Sequence, residues 1–167
     1  EGTDGYLYAT TDGAGIYVIQ NGKIVRNIGI EDGLTADVVL RLVPYQNGFF
    51  VVVSNSLCYM ENDVITHIGS FPYYDNFDIL IDGNNAYVLT SAGIYMIDAE
   101  ALRTNSVTAY KLLNYNDGLT QSITSNAWNF IGEDGRIFFC GNKGVCCFKP
   151  GEITDTARDY KFGISVT

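Results

Sequence analysis

Gly48-Phe49-Phe50-Val51-Val52-Val53, then a small polar turn, then Leu57-Cys58-Tyr59-Met60: this phrase decides the fold, because the chain repeats it. The other copies run Gly5-Tyr6-Leu7-Tyr8-Ala9-Thr10 into Gly15-Ile16-Tyr17-Val18-Ile19, Ala86-Tyr87-Val88-Leu89-Thr90 into Gly93-Ile94-Tyr95-Met96-Ile97, and Gly135-Arg136-Ile137-Phe138-Phe139-Cys140 into Gly144-Val145-Cys146-Cys147-Phe148. The equivalent positions Ile16, Leu57, Ile94 and Val145 are separated by 41, 37 and 51 residues. Several short strands recurring at a period of about 40 residues mark the blades of a β-propeller. The runs are apolar almost throughout, whereas a sheet with one wet face alternates. They fit blades covered on both faces by neighbouring blades.

The bulk composition agrees. Of 167 residues, 47% are hydrophobic and 13% aromatic, and only 17% are charged, so the chain has the material for one packed domain. The net charge of −9 repels phosphate backbones and anionic bilayers, which argues against nucleic acid and acidic membrane surfaces as partners. A neutral ligand such as a sugar, or a cationic one, stays open. No stretch approaches the roughly 20 apolar residues of a membrane helix. The chain begins at Glu1 without a charged-then-apolar leader, so no signal peptide is visible, which says little of a segment that reads as an excerpt of a longer protein. The four cysteines lack C-x-x-C spacing. Cys146 and Cys147, adjacent in a strand, point to opposite faces. Cys140 lies across a predicted Gly141–Gly144 turn from them, so either a Cys140–Cys146 bridge forms or all are free thiols packed as small hydrophobes.

Asp-Gly and Asn-Gly pairs (Asp12-Gly13, Asn21-Gly22, Asp32-Gly33, Asn47-Gly48, Asp82-Gly83, Asp117-Gly118, Asp134-Gly135) supply the turns. No helical period is convincing; Asp98 to Thr104 reads as a short turn-like connection. The longer phrase Ile30-Glu31-Asp32-Gly33-Leu34-Thr35 returns as Tyr115-Asn116-Asp117-Gly118-Leu119-Thr120, 85 residues on. Each copy leads into an innermost strand, Val38–Val43 or Ala127–Ile131, and Asn76–Ile81 plays that part in the blade between. The expected fold is all-β, a propeller segment of about four blades with approximate spans 1–35, 36–75, 76–120 and 121–160, and an exit strand over 160–167. Blades two to four have four strands each, whereas blade one begins at its second strand. Either Phe162–Val166 supplies the missing strand, or the segment belongs to a larger, about seven-bladed ring, the reading preferred here. Open blade edges would then invite self-association.

Asp32-Gly33-Leu34-Thr35-Ala36-Asp37-Val38-Val39-Leu40-Arg41-Leu42-Val43 with Asn47-Gly48 resembles the two-component regulator propeller repeat. That repeat reads roughly D-G-L-x-x-N-x-V-x-x-I-x, then D-G-x-L-W-I-G-T, then G-L. Asp117-Gly118-Leu119-Thr120, Ser125-Asn126, Glu133-Asp134-Gly135 and Gly141–Val145 match a second copy, and Thr10–Tyr17 the end of another. Departures are Tyr, Val or Phe for the frequent Trp, Asp37 for Asn, four extra residues at 121–124, and no Gly before Leu57. The resemblance implies an extracytoplasmic, periplasmic or cell-surface, sensor portion of a membrane-anchored bacterial signalling protein. The partners it implies are downstream signalling domains of the same chain, reached through Phe148–Ile153 and Ile164–Thr167.

The single histidine, His67, sits in a predicted outer strand and reads as structural. There is no phosphate loop before a helix and no calcium loop, and the turn aspartates serve local backbone. No catalytic residue, metal or cofactor is therefore expected. Aromatic faces beside amides and carboxylates are what a sugar site needs, and such residues gather at the starts of the inner strands, which line the channel mouth. The candidate ligand-binding residues are Asp37, Arg41, Tyr73, Tyr74, Asp75, Asn76, Asn126, Trp128 and Asn129, with Phe77 beside them. The plainer reading of Trp128 and Phe77 is packing between blades. The expected function is non-catalytic ligand recognition, of a small molecule or an oligosaccharide. The alternatives are a protein-interaction propeller, or a propeller lyase or glycan-active enzyme.

Overall fold

A computed structural model of the chain describes residue 2 and residues 5–152. The expected strands at Phe162–Val166 and the exit segment over 160–167 lie outside the described residues. The described chain forms four antiparallel sheets in sequence order. The first holds β1 (Leu7–Thr10), β2 (Ile16–Gln20) and β3 (Lys23–Ile28); the second holds β4 (Val39–Tyr45), β5 (Gly48–Val53), β6 (Ser56–Glu61) and β7 (Val64–His67). The third holds β8 (Asn76–Asp82), β9 (Asn85–Thr90), β10 (Gly93–Asp98) and β11 (Lys111–Leu113). The fourth holds β12 (Phe130–Ile131), β13 (Ile137–Gly141) and β14 (Gly144–Phe148).

The near-continuous apolar strands follow from the stacking of these sheets. In β5, Phe50 and Val52 face the third sheet, joining Ile79, Val88 and Ile97, while Val51 and Val53 face the first, joining Ile16, Val18 and Ile28. A third cluster of Leu80, Leu89 and Ile94 against Ile137 and Phe139 closes the third sheet on the fourth. Successive side chains of one strand thus fill two different cores, which is why strict alternation is missing. The arrangement is a stack of propeller blades.

The Asp-Gly-Leu linkers have a physical explanation. Residues Ile30–Asp32 and Tyr115–Asp117 form 3-10 turns. Each is closed by its aspartate, which accepts the amide hydrogen of the residue three earlier: Gly29 N to Asp32 Oδ2 at 2.9 Å and Asn114 N to Asp117 Oδ2 at 3.1 Å. Gly33 and Gly118 then stand at φ 110° and 100°, a conformation that penalises a Cβ. The leucine that follows drops into a core: Leu34 is buried between the first two sheets, and Leu119 packs beside the last two.

Several expectations need correction. Asp98–Thr104 is not merely a turn: Ala99–Arg103 is a short helix, α1, whose N-terminus is capped by Asp98 Oδ1 accepting from Ala101 N at 2.8 Å. The inner strand of the fourth sheet is two residues long rather than five. Asn126 takes a left-handed φ of 53°, and Asn129 Oδ1 takes the Cys140 N–H at 3.0 Å, replacing a strand-to-strand bond. Three strands, not four, are described in that sheet. All four cysteines are free, and of these only Cys58 is buried. Cys140 pairs with Val145 across the hairpin and Cys146 with Phe139, so the register sets Cys140 and Cys146 on opposite faces.

Candidate functional site

The innermost strands of sheets two and three begin with the same irregularity. A bulge lies between Val39 and Arg41 in β4, and another between Asn76 and Asp78 in β8. A bulge re-aims the next side chain. It leaves Arg41 opposite Val52 and Asp78 opposite Leu89, equivalent steps on neighbouring blades. Trp128 precedes by two residues Phe130, which pairs with Phe138, so it stands beside Cys140 at the same step of the fourth sheet. Three unlike side chains from three blades therefore converge.

They make one network. Arg41 Nε lies 3.2 Å from Asp78 Oδ1. Asp78 also accepts from Ile79 N at 2.8 Å and from Asn129 Nδ2 at 2.9 Å. The Arg41 guanidinium donates through Nη2 to the Asn129 carbonyl at 3.5 Å and lies 4.0 Å from the centre of the Trp128 ring, a cation–π arrangement. Asp78 is 1% exposed and Arg41 18%. Trp128 is 76% exposed, so it does not pack between the described blades. Leu40, Arg41, Phe77, Asn126, Ala127 and Trp128 line an open cavity of about 360 Å³. Phe77 is half-buried and also touches the core between sheets three and four.

Burial pushes the Asp78 carboxyl up from the ordinary 3.8, and the Asn129 amide, the Arg41 guanidinium and the Ile79 N–H offset this only in part. A raised folded-state value means the protonated form favours the fold. The contribution of Asp78 to stability is fully present below 3.8 and is lost as pH rises through the folded value. Denaturant midpoints of the wild type and Asp78→Asn, compared across pH, are expected to show the wild type losing ground to the variant as pH climbs above the ordinary carboxylate range. A difference that grows in favour of the wild type would contradict the assignment.

Of the nine candidates, Arg41, Asn126, Trp128 and Asn129 come together here. Asp37 belongs to the linker between the first two sheets, where its carbonyl accepts from Gly13 N and Gly15 N and its carboxylate from Ile30 N at 3.3 Å. Tyr73 stacks on Tyr95 at 5.9 Å and shares a 2.9 Å hydrogen bond with Ser91, in a group with Phe71 and Tyr110. Tyr74 and Asp75 are exposed on the approach to β8. Asn76 is buried, with neither amide atom hydrogen-bonded. Its register partner is Thr90, and the same position in β4 is the core residue Val39, opposite Val53. Asn76→Val is therefore expected to raise stability by about 1 kcal/mol, because it removes an unsatisfied buried amide. Chemical denaturation checks this, and a loss of stability would reveal a partner for the amide.

Asp78, the hub of the network, was missed by sequence reasoning, which saw it only as one residue of an apolar run. The available signal was the pair of positions: an arginine and an aspartate two residues after the equivalent inner-strand starts Val39 and Asn76.

No protein-family model and no curated protein sequence matches the chain. Solved structures do. The extracellular domain of the hybrid two-component system BT3049 from B. thetaiotaomicron matches with a TM-score of 0.72 at 17% identity, over 90% of this chain and 21% of that one. The WD40 β-propeller domain of Doa1 matches with a TM-score of 0.64 at 15% identity, over 89% of this chain and 48% of that one. The extracellular domain of the B. thetaiotaomicron hybrid two-component system BT4673 matches with a TM-score of 0.52 at 14% identity, over 89% of this chain and 27% of that one. The chain thus spans less than half the length of each. At these identities the likeness establishes the fold: an all-β propeller architecture, shared with extracellular domains of two-component systems. Among the described residues, no helix is long and apolar enough to cross a membrane.

Proposed function

We propose that the chain is a non-catalytic ligand-recognition segment of an extracytoplasmic sensor propeller in a membrane-anchored bacterial signalling protein, and that its ligand is a carbohydrate. The observation that carries this reading is the exposed Trp128 indole, held by Arg41 on one side of a cavity that also presents the Asn126 amide. An aromatic plate with amide donors and acceptors suits the apolar faces and hydroxyl rims of a sugar ring. The Arg41 charge is already answered by Asp78, and the whole chain is acidic, so an uncharged sugar is favoured over an anionic one. Asp78 is committed to three partners inside the protein, which suits a structural part better than acid–base chemistry. The likeness to two extracellular domains of hybrid two-component systems supports the sensor role.

The mechanism follows from where the network sits. Arg41, Asp78 and Asn129 tie together the inner strands of three successive blades. A ligand that binds better to one relative setting of these blades shifts the population towards it, and the change passes to whatever follows in the chain. Thermal-shift screening against neutral oligosaccharides tests the reading, since a ligand at 100 times its Kd adds about 2.7 kcal/mol to the native state. The expected result is a raised Tm for the wild type and none for Trp128→Ala. The unliganded variant is expected to match the wild type within about 0.5 kcal/mol, because the indole is exposed. A panel that shifts neither protein, or both equally, contradicts the proposal.

A further inference from the structure

A second cavity, of about 250 Å³, opens where the third sheet meets the fourth, between the β9–β10 turn, the Asp-Gly-Leu linker and the β13–β14 turn. Described blades form both of its sides, so it is not an outer face of the stack. Its origin shows against the first junction. There the preceding blade has a long turn, Thr11–Gly15, that reaches the linker. Gly13 N and Gly15 N donate to the Asp37 carbonyl at 3.2 and 2.8 Å, and Val39 N donates to the Thr11 carbonyl at 3.0 Å. At the third junction Ser122 and Ile123 hold the places of Val38 and Val39. The Ser122 carbonyl accepts from Asn142 N at 3.0 Å as that of Val38 does from Ser54 N at 3.0 Å, and Ile123 pairs with Gly141 as Val39 does with Val53. The turn of the preceding blade is here only Ser91 and Ala92, and among the described residues no hydrogen bond joins them to the linker. The space left between them is the cavity.

Its walls carry polar groups with no other task. Among the described residues, the Thr120 and Ser122 hydroxyls, the Asn142 amide and the Lys143 ammonium make no hydrogen bond or ion pair within the protein. The Tyr115 ring on the rim is 80% exposed. Gln121 fixes the wall: its Oε1 accepts from Lys143 N at 2.7 Å, and its amide nitrogen contacts Cys146 Sγ. The volume lies below the ~300–1,000 Å³ of a pocket for a drug-sized molecule and suits a single ring. An aromatic plate among hydroxyl and amide groups repeats the chemistry found at Trp128. The two cavities also share a wall, since residues 121–123 line this one and 126–128 the other. Thr124 joins the two stretches, with its N–H and hydroxyl both donating to the Cys140 carbonyl at 3.0 and 3.1 Å, while Cys140 N donates to Asn129 Oδ1. We propose that the second cavity takes a further unit of the oligosaccharide held at Trp128, so that the ligand is a chain of several neutral sugars lying along residues 121–128. This rests on the reading of Trp128 as a sugar site.

The test is titration calorimetry of the full 167-residue chain with neutral glucan, xylan and mannan fragments, graded from disaccharide to octasaccharide. Two linked subsites make the second contact intramolecular, so affinity is expected to rise with length until a fragment spans both cavities and then to level off. Tyr115→Ala and Ser122→Tyr, which removes the plate in one case and fills the cavity in the other, are each expected to weaken the long fragments by at least about tenfold. Both are expected to leave the shortest binding fragment within about twofold of the wild type. Trp128→Ala is expected to weaken fragments of every length. Both new substitutions fall at exposed positions, and circular dichroism confirms that each variant folds. Wild-type affinity that does not depend on length overturns the second subsite, as do long fragments that bind Tyr115→Ala and Ser122→Tyr as they bind the wild type. In either case loss of binding in Trp128→Ala leaves the first site standing. A wild type that binds no fragment of any length overturns the reading of Trp128 and the second subsite with it.

Discussion

Asp78→Ala is expected to lower stability by about 3 kcal/mol at neutral pH, measured by chemical denaturation, because it removes one partner of a buried ion pair. Three groups lose their acceptor together: the Arg41 guanidinium, the Asn129 amide and the Ile79 N–H. Arg41 is too enclosed to recover full hydration. The damage reflects the orphaned groups and not a large net gain from the pair, since burial holds the Asp78 carboxyl above its ordinary value. Two consequences separate these ideas. Asp78→Asn retains an acceptor oxygen and is expected to cost less than Asp78→Ala. The double variant Arg41→Met/Asp78→Leu removes both charges and is expected to recover at least half of the loss, as buried pairs replaced by apolar side chains commonly do. A double variant as unstable as the sum of its single variants would show that the two residues act independently.

Phe50→Ala is expected to cost about 4 kcal/mol, in the range for a phenylalanine removed from a packed core. Phe50 is fully buried between the second and third sheets, with ring centres 5.3 Å from both Tyr45 and Tyr59. Strand β5 is hydrogen-bonded on both sides, to β4 and β6, so the backbone cannot easily collapse into the void. Val64→Ala, on the outer strand of the same sheet and 65% exposed, is the control and is expected to change stability by less than about 0.5 kcal/mol. A small effect at Phe50 would mean that the stacked sheets do not share a close-packed core.

Much of the stack was legible because each strand repeats. The apolar phrase around Val51 or Val88 has no clean alternation, and only a strand enclosed on both faces explains that. The Asp-Gly-Leu phrase was legible as a linker, although its mechanics were not: the aspartate back-bond and the left-handed glycine become visible only in three dimensions. The helix at Ala99–Arg103 escaped because five residues cannot establish a period, yet Asp98 stood in view as its cap. The site was harder. Arg41 and Trp128 could be picked out as polar and aromatic residues at inner-strand starts, but their junction depends on two bulges that no propensity reveals. Asp78 was hidden inside Asn76-Phe77-Asp78-Ile79, where a carboxylate in an apolar run is the signal of a buried partner. Tyr73 showed the opposite failure: a polar-aromatic cluster in sequence became ring packing on Tyr95 in space.

The central claim, that Trp128 and its surroundings form a sugar-recognition site, has a direct probe in the molecule itself. Trp128 is the single tryptophan of the chain and its indole is exposed, so its emission reports contact at this one place. Titration of the protein with neutral oligosaccharides, followed by tryptophan fluorescence, is predicted to give a saturable change in intensity with a shift to shorter wavelength as the ring leaves water. Emission that stays unchanged while calorimetry records saturable sugar binding would place the site elsewhere and contradict the account.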